Sequence, residues 1–266
     1  NLAIRGFSAD LGKSHGDTFG NDQFPDLKFD YILANPHFND SDWGGEKFES
    51  DVRWKYGRPP IGNANYAWLQ HILWKLNQKG IAGVVLSNSS MSSNTSGEGE
   101  IRKAMIKGDV VEVMIALPGQ LFLNTQIPCC LWFLTKNKKI NGRNREKETL
   151  FIDARNLGIM KTRVLKIFTD EDIKKIANTV SNWRKGDDYN DIKGFCKSVS
   201  INEIKKNDYS LTPGIYVGTV KKEVDKTSLE KKIKELSSNL EEISKINLEL
   251  DEKIRSELKK ISFKDV

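Results

Sequence analysis

Cysteine is scarce in this chain: only Cys129, Cys130 and Cys196 occur in 266 residues. Two of them are adjacent inside an apolar run, which reads as buried free thiols in a reducing compartment rather than a disulfide framework. No zinc-ligand spacing exists. Histidine is equally sparse, at three residues, and no cluster of partners surrounds His37, so no metal site is expected. No apolar stretch reaches the roughly 18 residues that cross a bilayer, and no signal peptide is recognisable. A cytoplasmic location without a membrane partner is the expectation. A strand, Gly-x-Gly turn and helix in succession are also missing, because Gly97-Glu98-Gly99 follows a polar, serine-rich loop. Carboxylates are outnumbered: 36 Asp and Glu against 42 Lys and Arg leave a net charge of +6. That excess suits an anionic partner, although many of the cations lie in mixed-charge helices that read as solvated faces.

What is present is enough for a real core, with 38% hydrophobic residues in one large domain or a domain plus an appendage. The most informative stretch is Asp30-Tyr-Ile-Leu-Ala-Asn-Pro-His-Phe38. Tyr31 to Ala34 reads as a short buried strand, and Asn35-Pro36 stops it. A carboxamide, a proline and the Phe38 ring are thereby held at the carboxyl edge of a strand, where open α/β sheets bind ligands. Taken alone, Asn-Pro-x-Phe is no more than a strand-end turn.

Its surroundings add a resemblance. The stretch resembles the (Asp/Asn/Ser)-Pro-Pro-(Tyr/Phe/Trp) motif of amino-group DNA methyltransferases. Wider similarity runs through Asn63-Ala-Asn-Tyr-Ala-Trp-Leu-Gln-His-Ile72, Lys79-Gly-Ile-Ala-Gly-Val-Val-Leu86, Gly97–Ile106, Pro118–Pro128 and Asp208–Val217. These resemble the modification subunit of type I restriction–modification systems, which are adenine-N6 methyltransferases. The resemblance implies an α/β fold: the C-terminal part of a Rossmann-like, S-adenosylmethionine-dependent methyltransferase sheet with an antiparallel edge, followed by a helical tail. It implies that the Asn35 side-chain oxygen and the Pro36 carbonyl accept the two hydrogens of an adenine amine. Phe38 would stack on the extruded base, and Phe122 would supply a second ring. Gly16-Asp17-Thr18-Phe19 falls where such enzymes meet the adenosine of S-adenosylmethionine, with Asp17 near its adenine amine. The implied partners are DNA, a specificity subunit, a second modification subunit and, in the full complex, a restriction subunit.

Two departures qualify the resemblance. His37 stands where the family has a second proline, which removes a φ restraint from the loop and predicts reduced activity rather than new chemistry. The family's glycine-rich cofactor motif is expected upstream of Asn1, so the chain reads as the C-terminal part of a longer subunit. Its alternative reading is a non-catalytic, DNA-clamping or assembly remnant.

Along the chain, residues 39–63 read as a long polar loop over the base pocket. Trp43 and Trp54 are interleaved there with Lys47, Arg53, Lys55 and Arg58, which are available to phosphates. Ala64–Gln78 has helical apolar spacing ended by Gly80, and Ile81–Leu86 is a buried strand. Val110–Leu117 and Cys129–Thr135 are expected to pair as the antiparallel edge, with a basic turn over 136–147 and a further strand at Thr149–Ala154. Phe168-Thr-Asp-Glu-Asp-Ile173 is a capping pattern opening a helix that Trp183 anchors.

Near the C-terminus, Thr227-Ser-Leu-Glu230 reads as a capping box. Leu229, Ile233, Leu236, Leu240, Ile243, Leu250 and Ile254 then form a heptad seam interrupted by Asn247, with a stutter at Leu258 and Ile261. Such a seam needs a partner helix, from the 170–200 region of this chain or from another subunit. The expected organisation is a partial catalytic domain over 1–158, a helical and irregular extension over 159–219, and a coiled-coil-like association helix over 220–266.

Overall fold

The computed structural model describes residues 3–123, 125–219 and 226–260, in two compact units divided between Thr219 and Val220. The regular elements of the first unit are β1 (Phe29–Ala34), α1 (Asn65–Lys75), β2 (Leu76–Ser87), α2 (Glu98–Lys107), β3 (Val111–Ala116), β4 (Cys129–Thr135) and β5 (Glu148–Asp153). The two-residue strands β6 (Ile159–Met160) and β7 (Lys166–Ile167) follow, then α3 (Asp170–Lys185), β8 (Cys196–Ser200), α4 (Ile201–Lys206) and α5 (Pro213–Val217). The second unit is a single helix, α6 (Lys226–Lys260).

Six strands form one sheet in the order β1-β2-β4-β3-β5-β8. β1, β2, β3 and β5 run parallel, while β4 and β8 run antiparallel to their neighbours. The carboxyl ends of the four parallel strands therefore share one edge, which also receives the start of β4. The β3–β4 pair, read from the sequence as an edge, sits further in: β4 lies between β2 and β3, and the antiparallel outer strand is β8. Residues 159–219 likewise do not form a separate extension, because β8 completes the sheet beside β5 within the same compact unit. Little in its composition announces β8, a five-residue strand (Cys-Lys-Ser-Val-Ser) with one strong β-former.

Two apolar layers cover the sheet. On one face Tyr66, Leu69 and Ile72 of α1 and Ile101, Met105 and Ile106 of α2 pack against Val84, Met114 and Trp132. On the other, Val180 and Trp183 of α3 pack against Val113, Ile115, Leu150 and Ile152. The helix stripes at 3–4 residue spacing meet the period-2 faces of the strands. α3 begins as its sequence predicts: Thr169 Oγ1 accepts from Asp172 N (3.2 Å) and Asp172 Oδ2 accepts from Thr169 N (3.0 Å). Trp183 is fully buried and its indole N–H donates to Ser198 Oγ. All three cysteines are buried free thiols, and burial pushes Cys130 up to about 12.

β1 differs from expectation. Ile32 and Ala34 pack against the first layer, but Tyr31 and Leu33 are 78% and 89% exposed. The apolar run Tyr-Ile-Leu-Ala gave no hint of this asymmetry, since a strand covered on both faces reads the same way. Among the described residues β1 pairs only with β2, and no helix lies over its Tyr31–Leu33 face.

α6 runs unbroken through the heptad seam. Ile233, Leu236, Leu240, Ile243, Leu250 and Ile254 are all about half exposed or more. The helix already includes Thr227, so the capping box falls inside it. The side chains of Leu229 and Leu258, and Ile261 altogether, lie outside the described residues.

Candidate active site

Asn35-Pro36-His37-Phe38 leaves the carboxyl end of β1 and turns back at Asn39, whose φ is 53°. Asparagine tolerates this left-handed conformation better than most side chains. The turn is clamped from two sides. Asn39 N donates to Asn65 Oδ1 (3.0 Å), Asn65 Nδ2 donates back to Asn39 Oδ1 (2.8 Å), and Ser87 Oγ donates to the same Asn39 oxygen (3.2 Å). Asn65 is buried at the first turn of α1, and Ser87 is the last residue of β2. The loop after β1 is thus tied to the two elements that follow it. Asn39 and Asn65 carry no stronger mark in the sequence than asparagine at a turn and at a helix start.

The loop opens on a cavity of about 410 Å³, lined by Asn35 to Phe38 and by Phe122, Leu123 and Thr125. Its size falls within the usual range for small-ligand sites. Four residues predicted from the sequence, Asn35, Pro36, Phe38 and Phe122, therefore meet around one space, although Phe38 and Phe122 are separated by 84 positions. The two rings lie 6.3 Å apart at 80°, edge to face. A planar base can stack on one of them while the other closes its side. Among the described residues, neither the Asn35 side chain nor the Pro36 carbonyl is engaged in a hydrogen bond, so both oxygens remain available to a ligand. His37 is exposed beside them, and no metal-binding cluster of His, Cys, Asp and Glu occurs among the described residues.

The expected loop over the pocket is built differently. Residues 43–54 fold into an aromatic cluster in which Phe19, Trp43, Ala64 and Ala67 are buried, with Phe48, Trp54 and Trp68 against them. None of these lines the cavity beside Asn35. Arg53, taken as a phosphate ligand, is buried. It is held by Asp51 (2.6 Å), by the Phe19 carbonyl (2.8 Å) and by His71 Nδ1 (3.1 Å). A guanidinium has no acceptor, so His71 Nδ1 accepts and the imidazole is neutral. Burial and then the Arg53 charge hold it down to about 4. Arg58 is paired with Glu49. Two of the four cations assigned to phosphates are thus committed to carboxylates.

A second, larger cavity of about 620 Å³ lies along β1, between Phe29, Tyr31 and Leu33 and the turn containing Gly16 and Thr18. Asp17 shapes that turn: its carboxylate accepts from Phe19 N (3.0 Å) and Gly20 N (3.1 Å). A side chain at Gly20 would meet Asp17 Oδ2 at 2.8 Å, which keeps the turn tight.

An open α/β sheet thus carries Asn35, Pro36 and Phe38 at its carboxyl edge, on the wall of a cavity. Comparison with known proteins gives the family. The N-6 DNA Methylase family matches residues 1–225. The chain is 51% identical over 258 residues to the type I restriction enzyme HindI methylase subunit of Haemophilus influenzae, covering 97% of this chain and 57% of that protein. It is 41% identical to the MjaIX methylase subunit of Methanocaldococcus jannaschii, covering 98% and 46%. A crystal structure of a type I methyltransferase subunit from Streptococcus thermophilus superposes with a TM-score of 0.69 at 30% identity, covering 82% of this chain and 45% of that one. The chain belongs to the N-6 DNA methylase family. It spans about half the length of the relatives it matches.

Proposed function

We propose that this chain carries the adenine-binding half of a type I modification subunit, which methylates adenine N6 in DNA. The observation that supports this most is that Asn35 and Pro36 line the Phe38–Phe122 cavity, with the Asn35 side chain and the Pro36 carbonyl in no hydrogen bond among the described residues. An exocyclic amine is a poor nucleophile because its lone pair is delocalised into the ring. Two acceptors aimed at its two hydrogens favour a pyramidal nitrogen with its lone pair directed outward. This is positioning and electrostatic preorganisation, with no titrating base required. The base leaves the duplex to arrive here, and Phe38 replaces part of the stacking it loses, with the Phe122 edge beside it. The Asn39–Asn65–Ser87 clamp restores some of the rigidity that His37 gives up in place of proline.

S-adenosylmethionine would supply an electrophilic methyl group carried on a sulfonium. The Gly16–Thr18 turn, set by Asp17, and the apolar wall of Phe29 and Leu33 offer the larger cavity to its adenosine. The exposed Tyr31–Leu33 face suggests that further polypeptide covers β1 and completes that pocket. The apolar stripe of α6 fits docking to helices of a specificity subunit, within an assembly that includes a second modification subunit and a restriction subunit.

The test is nucleoside analysis. A subunit of the relatives' full length carrying this chain, supplied with its specificity subunit, DNA and methyl-labelled S-adenosylmethionine, is expected to yield labelled N6-methyladenine. Label on cytosine N4, or none on any base, would remove the reading.

A further inference from the structure

Between Asp153 and Asp170 the chain carries four cations, Arg155, Lys161, Arg163 and Lys166, and no carboxylate. The turn over 136–145 also carries cations without a carboxylate, but there Lys138, Lys139, Arg143 and Arg145 pair with Asp109, Glu146, Glu148 and Glu112. Arg155 is committed to Asp153 through two contacts of 2.6 and 2.8 Å. The other three lie on a hairpin built from β6 and β7, with Ile159 paired to Ile167 and Met160 to Lys166. Among the described residues none of the three forms an ion pair, and Lys161 and Arg163 are exposed.

The hairpin is a defined ribbon. Its tip is closed by Lys161 N donating to Leu165 O (2.9 Å) and by Thr162 Oγ1 accepting from Leu165 N (3.0 Å). Its base is pinned where Gly158 N donates to Asp172 Oδ2 (3.1 Å). It is also joined to the candidate site: Lys166 N donates to Gln120 O (2.8 Å), two residues before Phe122. It rises at the carboxyl edge of β5, the edge that holds Asn35.

We infer that the Ile159–Ile167 hairpin is a duplex-DNA contact that grips the phosphates flanking the base drawn into the Phe38–Phe122 cavity. This rests on the methyltransferase reading and deepens it. A two-stranded ribbon is of a size that the major groove admits. Cations without carboxylates among them match a polyanion rather than a mixed-charge protein surface. The exposed apolar side chains of Ile159, Met160 and Val164 can face sugars and base edges between the charges. A contact so close to the site fixes the DNA register at the extruded base, while base-specific readout is left to other elements.

The experiment measures binding of the 266-residue chain to a fluorescein-labelled duplex by anisotropy across a salt series. One variant carries Lys161→Gln, Arg163→Gln and Lys166→Gln. A charge-matched control carries Lys79→Gln, Lys205→Gln and Lys206→Gln, at or beyond the opposite edge of the sheet. Each phosphate contact contributes roughly 0.9 to the slope of log affinity against log salt. The hairpin variant is therefore expected to lose about 2–3 of that slope and at least about tenfold in low-salt affinity, while the control changes little. Equal behaviour of the two variants, or no measurable binding by the unaltered chain, overturns the inference. The methyltransferase reading fails separately, through the nucleoside analysis: N6-methyladenine formed by a subunit whose hairpin variant binds normally sinks the hairpin contact alone.

Discussion

Asn35→Ala is expected to lower adenine methylation by about 10²–10³-fold, the loss typical of removing one preorganised polar group from a reacting centre. The side chain is exposed at the mouth of the cavity and makes no hydrogen bond among the described residues, so its removal leaves no buried group unpaired. The melting temperature should therefore stay with that of the unaltered protein, and the DNA dissociation constant should change little. The deficit belongs in kcat, because the oxygen is assigned to the amine as it becomes a nucleophile and not to holding the duplex. The check is initial-rate methylation at saturating DNA and S-adenosylmethionine, run beside a thermal melt. Activity within about threefold of the unaltered protein, less than about 0.7 kcal/mol in the barrier, would deny Asn35 its role.

Glu112→Ala has the second large effect, on stability. Glu112 is fully buried in β3, where Oε1 meets Arg145 (3.2 Å) and Oε2 meets Arg184 (2.6 Å). Arg145 is itself buried and also donates to the carbonyls of Ile140 and Arg143. Removing the carboxylate strands a buried guanidinium, which typically costs about 3–5 kcal/mol. For a unit of this size that lowers the melting temperature by roughly 10 °C or more. By contrast Lys139→Ala, which breaks the surface pair with Glu146, should shift the melt little. A denaturant titration of the two variants decides it. If Glu112→Ala unfolds at the same midpoint as Lys139→Ala, the triad does not hold the β3–α3 layer together.

Much of the fold was legible because its central strands are short, unbroken apolar runs with polar punctuation. Cys129–Thr135 was placed to the residue and β3 and β5 to within one, whereas β2 starts at Leu76, five residues before its expected start and inside the stretch read as helix. The hidden features depend on partners far apart in sequence. Glu112 meets Arg145 and Arg184 across 33 and 72 positions, and nothing local marks those three among the chain's many charges. β8 is too polar to announce itself, and only its pairing with β5 makes it a strand. The exposure of Tyr31 and Leu33 depends on what lies over β1, which an apolar tetrapeptide cannot record. At the site, the sequence resemblance brought Asn35, Pro36, Phe38 and Phe122 together in advance. The Asn39–Asn65 exchange that braces them went unread, as did the diversion of Arg53 into a buried bond with Asp51 and His71. A basic residue beside aromatics looks the same whether it awaits a phosphate or supports a loop.

The most direct measurement is a crystal structure of the full-length subunit, assembled with DNA and an unreactive cofactor analogue. The extruded adenine is expected with its N6 within about 2.7–3.2 Å of both Asn35 Oδ1 and Pro36 O and with its plane against Phe38. An adenine bound elsewhere, or one whose amine faces neither oxygen, would contradict the assignment.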